Sequence, residues 1–371
     1  MTERDDFLRG RQNAPQPTPL HRAPQPGPPP PPPGQWQGSP LGYPGGPPPQ
    51  RGPMSPQPQW PGPGPGGAVP TGRKPGPGTG WRKALYSATF GLVNLGPSPD
   101  ERRDAQMESM IRSPLRGYYK VGVLGKGGVG KTSVAASVGS IFAELRPADR
   151  VVAVDADTAF GRLGSRIDPM THGSYWELAA DQNLQTFADL QTRVGHNAAG
   201  LYVLAGEPAT SRRVLDPAVY REAIRRLDRH FTISIVDCGS TMDAPVTQEA
   251  LRDVDALIVV SSPWADGASA AAQTMEWLYK HARTDLLRRT VVVLNDSDGH
   301  SDKKTRSILA QQFTSRGQVV VEVPFDPHLR PGGVIDVSRE MDRGTRRRFL
   351  EIAAAIAQHF GSPPDAVRDR R

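Results

Sequence analysis

Short apolar runs rich in Val and Ile begin at Tyr118 and recur almost to the end of the chain, separated by longer stretches of helical period. The runs fall at 119–124, 151–155, 201–204, 232–236, 256–260, 290–294 and 319–323. They are apolar on both faces, which predicts strands buried in a parallel sheet with helices on either side. The intervening stretches are long enough for right-handed crossovers. The expected fold class is therefore α/β with a doubly wound, mostly parallel sheet. Residues 131–144 read as the first crossover helix. A last helix over about 345–360, amphipathic with Arg346, Arg347 and Arg348 at its start, is expected to close the domain on the sheet.

Ahead of these runs the pattern is absent. Of 39 prolines, 25 fall within residues 1–80, together with 16 of the glycines. Such a stretch has too little apolar surface to offset the entropy of ordering, and a disordered Pro/Gly-rich tail is expected there. Runs such as Pro28 to Pro33 favour polyproline II, which suits either a partner-recruiting segment or a solvated spacer. Composition changes at Trp81. Trp81, Leu85, Ala88 and Leu92 recur at helical spacing behind Arg82 and Lys83, predicting a short amphipathic helix over 81–93. It either docks on a partner or an anionic membrane, or packs back on the following domain.

The formal charge of +7 invites nucleic acid, but its distribution weakens that reading. Residues 1–112 hold 12 Lys and Arg against 7 Asp and Glu, whereas the remaining 259 residues are nearly balanced at 33 against 31. The stripe Arg221, Arg225, Arg226 and Arg229 reads as a solvated helix face. Cys238 is the single cysteine, so no intramolecular disulfide forms, in keeping with a reducing compartment. No signal-peptide pattern opens the sequence, no apolar run has bilayer-spanning length, and the eight histidines lack metal spacing.

Between the run at 119–124 and the helix at 131–144 lies Gly125-Lys126-Gly127-Gly128-Val129-Gly130-Lys131-Thr132-Ser133. This is the Walker A pattern in the strand–loop–helix setting it requires. The glycines let backbone N–H groups turn inward around phosphates, and the helix N-terminus adds its positive dipole end. Lys131 is expected to reach the β- and γ-phosphates of ATP, and Thr132 to ligate Mg²⁺. Gly125, Gly127, Gly128, Val129, Gly130 and Ser133 would complete the cradle. The run at 151–155 ends in Asp155-Ala156-Asp157, carboxylates at the strand end where such sheets bind ligands. Asp155 is expected to support Mg²⁺ or orient the loop, with capping of the next helix as its competitor. The run at 232–236 leads into Asp237, a Walker B arrangement in which Asp237 would hold Mg²⁺ through water and the Gly239 amide would sense the γ-phosphate. Cys238 reads as a small buried residue beside the site.

An ordinary Walker A loop does not need Lys126. The spacing Lys126 to Lys131 is the deviant form of the motif, and the sequence resembles the MinD/ParA family of P-loop ATPases over about residues 112–360, with the motifs in family order. The resemblance implies that Lys126 reaches across a dimer interface to the partner's nucleotide. It also implies that Asp157 positions or activates the attacking water, and that Asn295 and Pro324 contact the adenine. Catalytic roles thus fall to Lys126, Lys131 and Asp157, and Mg²⁺ contacts to Thr132, Asp155 and Asp237. The proline-rich front, the 81–86 segment before Asn94-Leu95-Gly96-Pro97-Ser98 and the Ser113-Pro114-Leu115-Arg116-Gly117 lead-in narrow the match. Together with Asp237-Cys238-Gly239 and Pro324-Phe325-Asp326-Pro327-His328, they are similar to MinD-like ATPases associated with actinobacterial type VII (ESX) secretion. Two segments depart from the wider family. Asp157 is followed by Thr158-Ala159-Phe160-Gly161 rather than Pro-Gln-Gly, and Cys238-Gly239-Ser240 stands where MinD proteins have Pro-Ala-Gly. Nucleotide binding survives both changes, but the activating partner does not follow from them.

The expected organisation is a tail at 1–80, a linker at 81–111, an ATPase domain at 112–361 and a charged tail at 362–371. The leading function is a slow, partner-stimulated ATPase switch: ATP promotes a homodimer, hydrolysis releases it, and a secretion apparatus or other protein partner responds. The alternatives are an ATP-stabilised scaffold that recruits partners through its tail, and a ParA-like segregation ATPase. The near-neutral domain disfavours DNA as the partner. The expected place is the cytoplasm, with peripheral contact at the inner face of the plasma membrane as a variant.

Overall fold

A computed structural model describes residues 80–90, 92–157, 161–206 and 213–361. The proline-rich tail up to residue 79, the Thr158-Ala159-Phe160 segment and the charged tail at 362–371 lie outside the described residues.

The first described element is α1 (Gly80–Ala88), followed by α2 (Pro99–Ile111). The helix expected over 81–93 therefore stops early. Thr89 Oγ1 donates back to Leu85 O at 2.7 Å, and Phe90 turns with φ of 50°, a conformation that cannot continue a helix. Leu92 falls outside α1 and is exposed. The expected linker also holds α2, which starts at a reciprocal capping box between Ser98 and Glu101 with proline at its first position. Arg347 ties α2 down through Asp100 at 3.1 Å and Asp104 at 2.8 Å.

The strands are β1 (Tyr119–Gly125), β2 (Val151–Ala156), β3 (Gly195–His196), β4 (Leu201–Leu204), β5 (Ile233–Cys238), β6 (Ala256–Ser261), β7 (Thr290–Asn295) and β8 (Val319–Val323). They form one sheet in the order β3-β4-β2-β5-β1-β6-β7-β8, parallel except for the β3–β4 edge pair. The observed strands run one or two residues further than the apolar runs at the C-terminal ends of β1, β2, β5, β6 and β7. They take in Gly125, Asp237 and Asn295, so candidate site residues sit on the sheet itself.

Helix α3 (Lys131–Leu145) joins β1 to β2, and α4 (Leu163–Ile167), α5 (Tyr175–Ala180) and α6 (Phe187–Gln191) follow β2. Next come α7 (Pro217–Leu227), α8 (Pro245–Asp253), α9 (Ala265–Lys280), α10 (Thr284–Arg288), α11 (Lys303–Thr314) and α12 (Arg343–Ala357). Side chains alternate between two cores although the sequence shows no polar alternation. Val121, Val123, Ile233, Ile235 and Ile258 join the core under α3 and α12, while Leu124, Val154, Val236 and Leu257 point to the opposite face. Burial on both faces is the signature of a parallel sheet between helical layers. Small residues let α3 lie close to the sheet: a Cβ on Gly139 would sit 3.0 Å from Leu201. Helix α12 packs into the same core through Phe349, Leu350, Ile352 and Ile356, as expected for a helix that closes the domain. On α7, Arg221 pairs with Glu249 at 2.6 Å, and Arg225 and Arg226 each pair with Glu222 at 2.8 Å. Among the described residues no helix is long and apolar enough to cross a membrane.

Candidate functional site

The loop between β1 and α3 wraps over the C-terminal edge of the sheet, where its glycines are required by space as well as by backbone angle. A Cβ at Gly125 would lie 2.2 Å from the Val260 carbonyl oxygen. Gly130 has φ of 91°, and a Cβ there would meet Asn295 Nδ2 at 2.4 Å. Gly130 is also the N-cap of α3, and no side chain caps that end. The first-turn N–H groups therefore remain available to an anion, with the helix dipole behind them.

Lys131 is buried and its Nζ lies 3.4 Å from the Lys126 carbonyl oxygen, folded back over the loop. The Lys126 side chain points elsewhere. Its Nζ pairs with Asp266, in the first turn of α9, at 2.7 Å, and both groups are about half exposed or more. That contact holds the Asp266 carboxyl below the usual carboxylate range.

Beneath the loop, parallel register places Asp155 of β2 directly beside Asp237 of β5. Thr132 Oγ1 donates to Asp237 Oδ2 at 2.6 Å. The other oxygen, Asp237 Oδ1, is buried with no hydrogen-bond partner. Burial and the neighbouring Asp155 charge push the Asp237 carboxyl up to about 8, against the opposing Thr132 hydrogen bond and Lys131 charge. Asp155 is raised to about 6, chiefly by burial. Its Oδ1 accepts from the Asp157 amide at 3.2 Å and its Oδ2 from the Leu163 amide at 2.9 Å. A Cβ at Gly161 would collide with this carboxylate, so the Gly161 backbone lies directly against it. Asp155 thus ties the backbone at Asp157 to the start of α4 at Leu163. Asp157 lies close to Gly239 across the mouth of the site, since a Cβ on Gly239 would stand 3.6 Å from Asp157 Oδ1. Cys238 is fully buried and its thiol is pushed up to about 12 by burial, as befits an inert packing residue.

Alongside the loop opens a cavity of about 570 Å³. One wall carries Gly130, Thr132 and Ser133, and the other carries Asn295, Pro324 and Phe325 with the segment that follows. Asn295 is buried and spends its side-chain amide on the Val129 carbonyl at 2.8 Å, fastening β7 to the loop. Three arginines, Arg162, Arg166 and Arg330, also line the cavity.

The profile of the CobQ/CobB/MinD/ParA nucleotide-binding domain matches residues 123–331, a span that includes the loop, the three aspartates and all of the cavity lining but Gly332. The chain belongs to this family. Family members are P-loop ATPases, and the fold agrees: the structure of the cell division ATPase MinD from Pyrococcus furiosus superposes with a TM-score of 0.50 at 20% identity, covering 66% of this chain and 99% of that one. In sequence the chain is similar to the ESX-1 secretion-associated protein EspI of Mycobacterium tuberculosis, 32% identical over 286 residues. That match takes in 76% of this chain but only 42% of EspI, so the chain spans less than half of that relative's length. An uncharacterised ATP-binding protein of Methanocaldococcus jannaschii is 24% identical over 242 residues, covering 63% of this chain and 85% of that protein.

Set against the sequence-based expectations, the family fold brings Gly125 to Ser133, Asp155, Asp157, Asp237 and Gly239 to one edge of the sheet, with Asn295 and Pro324 on the cavity wall. The motifs give no sign of Arg166 or of the 329–332 segment that walls the cavity. Arg166 sits on the short helix α4 and the segment is an irregular loop, neither with a repeating pattern, and only folding sets them against the P-loop.

Proposed function

We propose that this chain is an ATP-dependent dimerisation switch: it binds ATP with Mg²⁺, pairs with a second copy while ATP is bound, and hydrolyses it slowly to separate. The observation that carries this reading is the Thr132–Asp237 contact under the P-loop, with one oxygen of Asp237 buried and unpartnered. A hydroxyl and a spare carboxylate oxygen beneath a phosphate-binding loop suit Mg²⁺, which takes few protein ligands and completes its shell with water and phosphate oxygens. Among the described residues no cluster of His, Cys, Asp or Glu suits a self-contained metal site. The bound ion would neutralise charge on the phosphates. Lys131 and the α3 amides bind and orient them, and Asp157, facing Gly239, orients the attacking water.

The cavity favours adenine over guanine. Guanine recognition calls for a carboxylate free to accept two adjacent N–H donors, and the cavity's two carboxylates are turned to other partners. Asp296 accepts from the Gly299 amide and the Ser301 hydroxyl, and Asp326 accepts from the His328 and Asp342 amides. Lys126 is suited to act on a partner's nucleotide because its present ion pair is solvent-exposed. Such pairs contribute roughly 0–1 kcal/mol and are readily exchanged. The similarity to EspI motivates type VII secretion as the process served. In this reading the chain works in the cytoplasm or at the inner membrane face, with a secretion component or another protein as partner.

Light scattering on the full chain carrying Asp157→Ala, with ADP and then with ATP-Mg²⁺, tests the switch. A dimer only with ATP is expected. Adding Lys126→Ala should leave nucleotide bound and abolish the dimer. A monomer in both states with ATP bound would sink the switch and leave a nucleotide-stabilised scaffold.

A further inference from the structure

The geometry points to Arg166 as a positioning residue that clamps the 329–335 segment onto the first turn of α3 and so sets the nucleoside end of the cavity. This rests on the nucleotide-site reading above. Arg166 lies on α4, and only 5% of it is exposed. Its Nη2 donates to Ser133 Oγ at 2.7 Å and to the Leu329 carbonyl at 2.6 Å, and its Nη1 donates to the Gly333 carbonyl at 3.0 Å. The Arg166 carbonyl in turn accepts from the Ile335 amide at 2.9 Å. One planar guanidinium thus joins three stretches of chain: the helix behind the P-loop, the helix that follows Asp155, and the far wall of the cavity.

Phosphates belong at the α3 N-terminus, so the wall facing Gly130 and Ser133 receives the nucleoside. That wall is built by Pro324, Phe325 and the residues up to Gly332. Within Pro324 to Gly332 the ties of Arg330 and Asp326 stay on their own side of the cavity: Arg330 Nη1 donates to Ser297 O at 2.7 Å, and Asp326 accepts from the His328 and Asp342 amides. Asn295 beside them fastens β7 to the loop at Val129. The Arg166 fork crosses to the phosphate side and fixes the width between the walls. A lysine, with a single nitrogen, cannot reproduce a fork that reaches Ser133, Leu329 and Gly333 at once. The clamp touches neither the γ-phosphate nor the attacking water, so it acts on affinity for the nucleoside part and not on the chemical step.

The test compares the full chain with Arg166→Met, which keeps the apolar stem, by calorimetric titration with ATP-Mg²⁺ and ADP-Mg²⁺ and by steady-state hydrolysis. Both nucleotides should bind more weakly by the same factor, about tenfold or more for the loss of charged hydrogen bonds. KM should rise with kcat retained. In the unaltered chain, ADP should slow hydrogen exchange of the 329–335 amides, a readout that needs no variant. Unchanged ADP affinity in folded Arg166→Met would overturn the clamp, as would a loss confined to ATP or unaltered exchange at 329–335. Absence of any nucleotide binding by the unaltered chain would refute the nucleotide-site reading itself.

Discussion

Asp237 shows how much one residue's surroundings decide. Placed by register beside Asp155 and cut off from water, its carboxylate is disfavoured in the nucleotide-free protein. A carboxyl raised to about 8 from an ordinary value of 3.8 favours the fold when protonated. That contribution is fully present below about pH 4 and is lost as pH rises toward 8. Without nucleotide, the melting temperature should therefore fall between pH 5.5 and 8. Asp237→Asn, which can still accept the Thr132 hydrogen bond, should flatten that decline and melt higher than the unaltered chain at pH 8. The gain should be on the order of a few kcal/mol at most, because Asp155 remains. Parallel pH profiles for the two proteins would show that the pair is not strained. The same desolvated carboxylate would welcome a cation arriving with phosphates, so a destabilising residue in the empty protein becomes a stabilising one in the loaded site.

Among the elements, α2 is where an apolar-pattern reading is weakest. It is polar over most of its length and its buried anchor is Ile111, at its last position. The signal that does mark it is Ser98-Pro99-Asp100-Glu101, a capping box with proline at the first helical position. Ile111 is wholly buried in the α3–α12 core, and its carbonyl accepts a hydrogen bond from the buried Arg146 guanidinium. Ile111→Ala should cost about 2–5 kcal/mol of unfolding free energy in urea titrations, the usual range for a buried aliphatic truncation. A loss within a few tenths would mean that α2 is a detachable linker. The shortening of α1 has a comparable local cause. The Thr89 hydroxyl competes for the Leu85 carbonyl, and Phe90 leaves the helical region. No periodicity of apolar positions foretells either event.

At the scale of the whole molecule, the site spans elements far apart in sequence, so its occupancy bears on the whole fold. The P-loop is tied to β7 by Asn295 and to α9 by Lys126, across separations of 166 and 140 residues. A ligand that binds only the folded chain should stabilise it by about 2.7 kcal/mol at a hundredfold excess over Kd. ADP-Mg²⁺ should accordingly raise the melting temperature of the full chain, and an unmoved transition at millimolar ADP-Mg²⁺ would argue against a nucleotide site.

What the sequence determined by itself is what short range can encode. Val- and Ile-rich runs of strand length, the Gly125–Ser133 spacing between strand and helix, and aspartates at strand ends specify local geometry, and local geometry suffices for the family fold and its phosphate loop. Tertiary structure alone decided the rest. Register set Asp155 against Asp237, and close packing brought Asn295 onto Gly130. Crossovers carried Arg166 and Asp266 to the loop, and a two-residue antiparallel edge, β3, was added without any apolar run. Each of these depends on contacts between distant segments, whose pairing is set by the burial of both faces of the sheet and leaves no periodic trace in the chain.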